Sequence, residues 1–165
     1  MTLVQFQVST ARLADIDTVL GILDEATIWL RNNGIHTVWK PGEFSRQTFL
    51  EQISREEVHL GLVQGEPAGT FILQWADPLW WGEQPADAGY IHKLAIRPAY
   101  AGQGVGLQML NWAEKKTKTQ GKKFLRLNCM AEDRKIRDYY EKAGFTYLRD
   151  VQGTKSLASL YEKPL

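Results

Sequence analysis

Cysteine is nearly missing from this chain, since Cys129 is the only one among 165 residues. One cysteine cannot form an intramolecular disulfide, so the sequence does not indicate an oxidising compartment. No apolar run approaches the roughly 20 residues of a membrane-spanning helix. The N-terminus also lacks the basic and then apolar pattern of a signal peptide. Together these absences predict a cytoplasmic protein with no membrane partner.

An excess of charge of one sign is missing as well. Lys and Arg total 20 against 19 Asp and Glu, a formal net charge of +1. Such a balance gives no general attraction to nucleic acid, so we expect no nucleic-acid partner. His36, His59, His92 and Cys129 show no metal-ligand spacing, and we expect no metal. With 44% hydrophobic residues, residues 1–165 are predicted to form a single domain.

Strands and helices alternate along the chain, and their periodicity predicts the order β-α-α-β-β-β-α-β-α-β-β, a mixed α/β fold. The strands are predicted over residues 3–8, 58–63, 68–75, 89–96, 124–129, 145–151 and 157–161. The helices are predicted around 16–30, over 44–53, after Gly104 until the lysines from Lys115, and from 132 to 143. Residues 34–42 and 77–87 are predicted to be loops with several tryptophans.

Glycine is concentrated in one segment, where an apolar strand ends at Arg97-Pro98 and glycines follow at 102, 104 and 106 before a helical pattern. Glycines let the backbone approach an anion, and the N–H groups of a helix start attract it. The P-loop needs Lys-Ser/Thr where Leu107-Gln108 stands, and the dinucleotide fingerprint needs a small residue at Leu107 or Met109. The segment therefore predicts a phosphate-binding turn of a third kind.

Two further motifs accompany this turn. Leu94-Ala95-Ile96-Arg97-Pro98 precedes it, and Tyr139-Tyr140-Glu141-Lys142-Ala143-Gly144-Phe145 closes a later helix. The combination resembles the GCN5-related N-acetyltransferase (GNAT) superfamily, and the element order matches along nearly the whole chain. The resemblance implies a mixed, mostly antiparallel sheet with helices on both faces and a splayed central strand pair. It also implies acetyl-CoA as the donor co-substrate.

The resemblance further implies which residues bind the donor. Backbone groups of Leu94 and Ile96 would pair with the pantetheine arm, and N–H groups from Gly102 to Leu107 would hold the pyrophosphate. The full implied set is Leu94, Ala95, Ile96, Gly102, Gln103, Gly104, Val105, Gly106, Leu107, Asn128, Asp133 and Tyr140. Three positions depart from the family pattern. Ala101 replaces the Gln or Arg that opens the turn, Asp133 replaces an Asn at a place where we expect a helix cap, and Ile136 replaces an Ala.

Tyr140 is the candidate general acid, because a phenol could return a proton to the departing thiolate of CoA, worth about 10²–10⁴-fold in rate. The alternative is a core tyrosine, which also describes Tyr139. The incoming amine must lose a proton, and His92 suits that task with an ordinary pKa of about 6.5. A structural hydrogen bond is the alternative for His92, and Glu83 is a weaker candidate base. The resemblance implies the N–H of Leu94 as the oxyanion donor.

The acceptor side is less determined by the sequence. Trp39, Trp80 and Trp81 lie in loops that the resemblance places near the acceptor, where aromatic rings could bind an amine. The alternative is that Trp75 is a core residue and the others close loops over it. The lysines of residues 115–123 could attract the 3′-phosphate of CoA, although a lysine-rich helix end is ordinarily a solvated face.

These residues predict an acetyl-CoA-dependent N-acetyltransferase that acts on a primary amine of a small molecule by direct attack. A non-catalytic acyl-CoA sensor domain and a protein-tail acetyltransferase are the alternatives. A ping-pong route through Cys129 lacks a matched histidine–carboxylate pair. A homodimer through the C-terminal strands is the assembly that the resemblance suggests.

Overall fold

A computed structural model describes residues 5–165. The strands are Phe6–Thr10 (β1), Val58–Val63 (β2), Glu66–Gln74 (β3), Ala88–Ile96 (β4), Phe124–Met130 (β5), Thr146–Gln152 (β6) and Leu157–Pro164 (β7). The α-helices are Ile16–Asn32 (α1), Arg46–Ser54 (α2), Pro78–Trp81 (α3), Val105–Thr119 (α4) and Arg134–Lys142 (α5). Leu13–Asp15 and Pro98–Tyr100 each form one 3₁₀ turn.

The strands follow the order β1-β2-β3-β4-β5-β7-β6. The pairs β1–β2, β2–β3, β5–β7 and β6–β7 are antiparallel, and β4–β5 is parallel. The prediction of a mixed α/β fold with a mostly antiparallel sheet is confirmed. Parallel pairing of β4 with β5 ends at Ile91 and Leu127, although β4 continues to Ile96 and β5 to Met130.

Several boundaries differ from the sequence-based prediction. The first strand begins at Phe6 and ends at Thr10, and the predicted Leu3 and Val4 lie outside the described residues. The predicted loop 77–87 contains α3, because the Asp77 side chain accepts a hydrogen bond from the Trp80 N–H and a proline occupies the first helical turn. Helix α4 continues through its lysines to Thr119, since lysine forms helix well and suits the negative end of the dipole.

Residues 5–165 divide into two compact units. Unit 1 contains the described residues up to Ile72 together with Lys93–Trp112. Its core is formed by the apolar face of α1, where Val19, Ile22 and Leu23 are fully buried. That face recurs at i, i+3 and i+4, the spacing of one side of a helix.

Helix α4 begins in unit 1, and two glycines fix its approach to the strands there. A Cβ on Gly61 would lie 2.8 Å from Sδ of Met109, and a Cβ on Gly69 would lie 2.8 Å from its Cε. Met109 is fully buried. Glycine on β2 and β3 therefore lets the first turns of α4 pack closely, which sets the position of the glycine-rich turn that precedes them.

Unit 2 contains Leu73–His92 and Ala113–Leu165. Its core includes Trp81, Tyr90 and Leu160. Arg126 is buried there as well, with its Nε 2.8 Å from Oε2 of Glu162 and its Nη1 donating to the Tyr90 hydroxyl at 2.8 Å. A buried guanidinium is tolerated because both an opposite charge and a hydrogen-bond acceptor meet it.

Candidate functional site

The glycine-rich turn has the backbone shape that its sequence predicts. Gly102 has φ +75° and Gly104 has φ +78°, both in the left-handed region where a Cβ costs about 1–2 kcal/mol. A Cβ built at either position would meet nothing within 4 Å. Glycine is therefore required here by backbone conformation, whereas space alone would accept a side chain.

The turn ends in a row of backbone donors at the start of α4. Gln108 N–H donates to the Gly104 carbonyl at 3.1 Å, the first helical bond of α4. The N–H groups of Val105, Gly106 and Leu107 thus belong to the first turn, where no carbonyl of the helix can accept them. Such a helix start concentrates partial positive charge and fits an anion.

Gln103 has a structural use within this turn. Its side-chain amide Nε2 donates to the Ala99 carbonyl at 3.2 Å, which ties the turn back to the preceding 3₁₀ turn. The residue itself is exposed. Gln103 therefore stabilises the turn directly, and its contact with a pyrophosphate stays a prediction.

Strand β4 contains an unusual residue at its middle. Lys93 has φ +49°, a left-handed conformation that a lysine adopts at a cost of about 1–2 kcal/mol. It stands between His92 and Leu94, the residues predicted to supply the base and the oxyanion donor. Strained backbone of this kind concentrates at functional sites, where the surrounding fold enforces it.

The end of β4 alternates between core and surface. Ala95 is buried in the core of unit 1, whereas Leu94 and Ile96 on either side are half-buried. The Arg97 N–H donates to the Ala68 carbonyl at 2.8 Å, which holds the strand end. A contact of Ala95 with the donor would therefore involve its backbone, since its side chain packs inward.

Tyr140 lies on α5 in unit 2 with only 7% of its surface exposed. Its ring packs against Tyr139, Phe145 and Tyr161, at centroid distances of 5.5, 6.0 and 6.4 Å. Burial raises the pKa of Tyr140 well above its ordinary value, so the phenol remains protonated throughout the physiological range. The residue therefore combines the packing of a core tyrosine with the retained proton that a general acid needs.

Asp133 and Asn128 also lie in unit 2. The Asp133 Oδ1 accepts a hydrogen bond from the Ile136 N–H at 3.1 Å, so the predicted helix cap is confirmed. Asn128 is half-buried on β5, opposite Leu160 of β7. Donor contacts of both residues stay predictions.

Cys129 follows Asn128 and is half-buried. Burial raises the pKa of the Cys129 thiol to about 12, which the positive charge of Arg137 only partly offsets. A thiolate, which is the nucleophilic form, is therefore scarce at neutral pH. This environment disfavours Cys129 as an acyl-carrying nucleophile.

His92 has a partner that the sequence did not reveal. Its Nε2 lies 3.5 Å from Oδ2 of Asp77, and the two side chains are 20% and 7% exposed. The other oxygen of Asp77, Oδ1, accepts from the Trp80 N–H at 3.4 Å. Burial raises the pKa of Asp77, and the nearby His92 opposes that rise. The pattern Asp-Pro does predict a helix start, but nothing in it indicates His92.

The three candidate tryptophans occupy different settings. Trp39 in unit 1 packs edge-on to Phe44 at 5.8 Å. Trp81 in unit 2 is 3% exposed, with the Arg126 guanidinium 5.0 Å from its ring, and is thus a core residue. Trp80 is half-buried and touches Gly153, whose added Cβ would lie 2.3 Å from Cη2 of its ring.

The remaining candidates are surface residues. Glu83 is exposed. Trp75 is 38% exposed, so the alternative interpretation of Trp75 as a core residue is wrong. Lys118 lies 3.8 Å from Glu114 one turn earlier, and Lys122 donates to the Ala86 carbonyl. These contacts are those of a solvated helix end. A role for the lysines toward the 3′-phosphate stays a prediction.

None of the helices within residues 5–165 combines the length and apolarity that crossing a bilayer requires. Over the same residues, no three His, Cys, Asp or Glu side chains are grouped so that they could hold a metal ion.

Known proteins resemble this chain in sequence and in structure. The uncharacterised N-acetyltransferase YesJ of Bacillus subtilis is 26% identical over 151 residues, which cover 87% of this chain and 83% of that protein. A GNAT-family acetyltransferase from Listeria monocytogenes has a TM-score of 0.80 at 25% identity, covering 97% of this chain and 95% of that one. The PaiA N-acetyltransferase from Thermoplasma acidophilum, solved with coenzyme A, has a TM-score of 0.78 at 19% identity, covering 98% and 99%.

The family model agrees with these neighbours. The model described as the acetyltransferase (GNAT) family matches residues 22–145, a range that includes the glycine-rich turn, the His92 strand and the Tyr140 helix. Sequence, sheet order and structural neighbours therefore agree that the chain belongs to the acetyltransferase (GNAT) family.

Proposed function

We propose that the protein is an acetyl-CoA-dependent N-acetyltransferase that moves an acetyl group to the primary amine of a small molecule by direct attack. The observation that supports it most is the start of α4, where left-handed Gly102 and Gly104 lead into the N–H groups of the first helical turn. A protein with a net charge of +1 can hold a pyrophosphate best with such converging backbone donors. The donor set thus fits coenzyme A.

The rest of the donor is held by β4 in this proposal. Leu94 and Ile96 flank Ala95, whose side chain packs inward. They offer backbone groups to the amides of the pantetheine arm as an added strand would. The N–H of Leu94 follows the left-handed Lys93 and bonds the thioester oxygen as negative charge develops on it.

Three proton movements accompany the transfer. The bound ammonium gives a proton to His92, and the resulting amine forms a C–N bond to the acetyl carbon. The C–S bond then breaks as the Tyr140 O–H donates its proton to the departing sulfur, and the nitrogen loses a second proton that returns to Tyr140 through water. The products are an amide and the CoA thiol, and one proton is released to solvent for each ammonium consumed.

The raised pKa of Tyr140 does not argue against this role. Burial raises the phenol pKa because it disfavours the charged form. A thiolate departing into the same apolar surroundings would be disfavoured for the same reason. The proton affinities of the two groups therefore rise together.

Direct attack is preferred over an acyl-enzyme because Cys129 is a poor nucleophile here. Its pKa is raised to about 12, so the thiol form dominates at neutral pH. A small-molecule acceptor is preferred over a basic protein tail because the candidate acceptor residues Trp39 and Trp80 are half-buried aromatic side chains. Assembly as a homodimer through β6 and β7, and a cytoplasmic location, belong to the same proposal.

Two assays on the wild-type protein test the function. A thermal melt with CoA measures donor binding, and a ligand at 100 times its Kd adds about 2.7 kcal/mol of stability. Thiol release from acetyl-CoA over a panel of primary amines then measures transfer. We expect stabilisation and thiol release. Stabilisation without thiol release on any amine would favour a sensor domain, and no stabilisation would contradict both functions.

The base is tested with a matched pair of variants. His92→Gln should lower kcat and remove the limb of the pH–rate profile that reports the base, whereas Glu83→Gln should leave that limb in place. An unchanged profile in His92→Gln, or loss of the limb only in Glu83→Gln, would transfer the role away from His92.

A further inference from the structure

Asp77 divides its two carboxylate oxygens between two tasks. Oδ1 accepts the Trp80 N–H at 3.4 Å and caps α3. Oδ2 lies 3.5 Å from Nε2 of His92 and makes no hydrogen bond within the described residues. The residue as a whole is only 8% exposed.

Capping alone does not explain a carboxylate at this place. Helix α3 has only four residues, of which Leu79 is 84% exposed and Trp81 is buried. Neutral Asn or Ser caps a helix about as well as Asp does. A buried charge is costly unless an opposite charge or donors meet it. The contact that gives the negative charge a purpose is the one with His92.

The position of His92 makes that contact relevant to chemistry. It immediately precedes Lys93, whose left-handed φ of +49° fixes the strand locally. The Asp77 carboxylate faces the ring nitrogen Nε2. A carboxylate that accepts from one nitrogen of a histidine determines which tautomer is present and which way the ring points.

We propose that Asp77 is the positioning residue of His92. Its carboxylate accepts the Nε2–H, which keeps the proton on that nitrogen and leaves the lone pair on Nδ1 to receive the proton of the amine. When Nδ1 is protonated, the negative charge of Asp77 stabilises the imidazolium, and the proton then leaves from Nδ1 to water. The inference rests on the proposed function, in which His92 is the base.

The 3.5 Å separation between His92 Nε2 and Asp77 Oδ2 exceeds the 2.7–3.2 Å usual for a nitrogen–oxygen hydrogen bond. Catalytic hydrogen bonds are often long before substrate binds and shorten in the reacting complex. We therefore expect the contact to tighten when the imidazole becomes positively charged.

The decisive variant is Asp77→Asn. Asparagine retains the cap of α3, so the fold is preserved, but its amide NH₂ can donate to Nε2 and would place the imidazole proton on Nδ1 instead. Nitrogen-15 NMR of His92 should show the Nε2–H tautomer in the wild type and the Nδ1–H tautomer in the variant. Thiol release with an accepted amine should fall by about 10²–10⁴-fold, while stabilisation by CoA stays unchanged.

Asp87→Asn is the matched control, because it makes the same substitution at a half-buried carboxylate of unit 2 that also has a buried, unpaired Oδ1 among the described residues. The His92 tautomer and the turnover of Asp87→Asn should equal those of the wild type. A wild-type Nδ1–H tautomer, or full turnover in Asp77→Asn, would overturn the proposal. No thiol release from the wild type with any amine would overturn the proposed function instead, and the tautomer would still decide whether Asp77 holds His92.

Discussion

The glycine-rich turn and the Asp77–His92 pair are built in opposite ways. The turn, in unit 1, presents main-chain N–H groups, and its glycines contribute by having no side chain. The pair, in unit 2, depends on two ionisable side chains brought to 3.5 Å from each other. The first arrangement suits a constant ligand such as a pyrophosphate, and the second suits proton transfer, which backbone amides cannot perform.

This contrast decides how each region responds to change. A backbone site fails when φ changes and is nearly indifferent to pH, because amides do not titrate. A side-chain site fails when a proton or a tautomer changes, even if the fold is intact. Variants can therefore separate donor binding from transfer.

Tyr140→Phe should impair proton transfer without affecting donor binding. The variant removes one hydroxyl from a buried ring without changing its packing, so kcat should fall by about 10²–10⁴-fold with unchanged CoA affinity. Steady-state kinetics and calorimetry of CoA binding measure the two effects. Tyr139→Phe, at the neighbouring and more exposed ring, is the control. Full turnover in Tyr140→Phe would reject the general-acid role.

Alkylation of Cys129 tests whether this side chain stays outside the chemistry. Because burial raises its pKa from 9.0 to about 12, the thiolate fraction at pH 8 should be about a thousandfold lower than in the unfolded chain. Because the unfolded thiol is largely ionised above pH 9, the ratio should shrink from about pH 9 upward and vanish above about pH 12. Iodoacetamide labelling of folded and denatured protein measures the ratio. Equal rates would reopen the ping-pong route.

Gly104→Ala should impair donor binding without affecting proton transfer. Alanine costs about 1–2 kcal/mol at a left-handed position, so the turn will relax and the Kd for CoA should rise roughly tenfold with kcat retained. Gly21→Ala is the control, since Gly21 lies within α1, has open space around it and is not left-handed. If both variants bind CoA equally, the turn does not hold the pyrophosphate.

Ala101→Arg should tighten CoA binding by adding a side-chain donor to the glycine-rich turn. Position 101 is exposed with an extended backbone that arginine accepts, and one charge-assisted bond of about 1 kcal/mol would tighten CoA roughly fivefold. Ala99→Arg adds the same charge two residues earlier. Equal tightening by both would indicate general attraction and a wrong register for the turn.

Gly153→Ala should give the smallest effect, on the acceptor side. Gly153 is not left-handed, so alanine fits its backbone, but the added Cβ would lie 2.3 Å from Cη2 of Trp80 and must displace that ring. We expect a few-fold change in KM for the amine with unchanged CoA affinity. Unaltered kinetics for every accepted amine would remove Trp80 from the acceptor site.

The same contrast explains how far the sequence alone could lead. The left-handed glycines and the Asp133 cap were predictable because they follow from neighbouring residues. Helix α3 was missed because one Asp-Pro pair inside a segment rich in glycine and proline is a weak local signal. The Asp77–His92 contact was missed because it joins residues 15 positions apart whose approach depends on how the chain between them folds.

Burial was the other quantity that the sequence could not supply. Trp80 and Trp81 are adjacent, yet Trp81 belongs to the core of unit 2 and Trp80 is half-buried beside Gly153. The pKa values of Tyr140 and Cys129 are raised by desolvation, which depends on the packed interior. Periodicity indicates a face of a helix or strand, but it does not indicate how completely that face is covered.

The division between a donor site built from backbone groups and proton transfer by side chains is tested by one kinetic comparison. It measures kcat and the KM for acetyl-CoA in Gly104→Ala and His92→Gln with the same amine. We predict that Gly104→Ala raises the KM for acetyl-CoA and keeps kcat, whereas His92→Gln lowers kcat and keeps that KM. A loss of kcat in Gly104→Ala with no change in His92→Gln would contradict the division into a backbone-built donor site and a side-chain-built acceptor site.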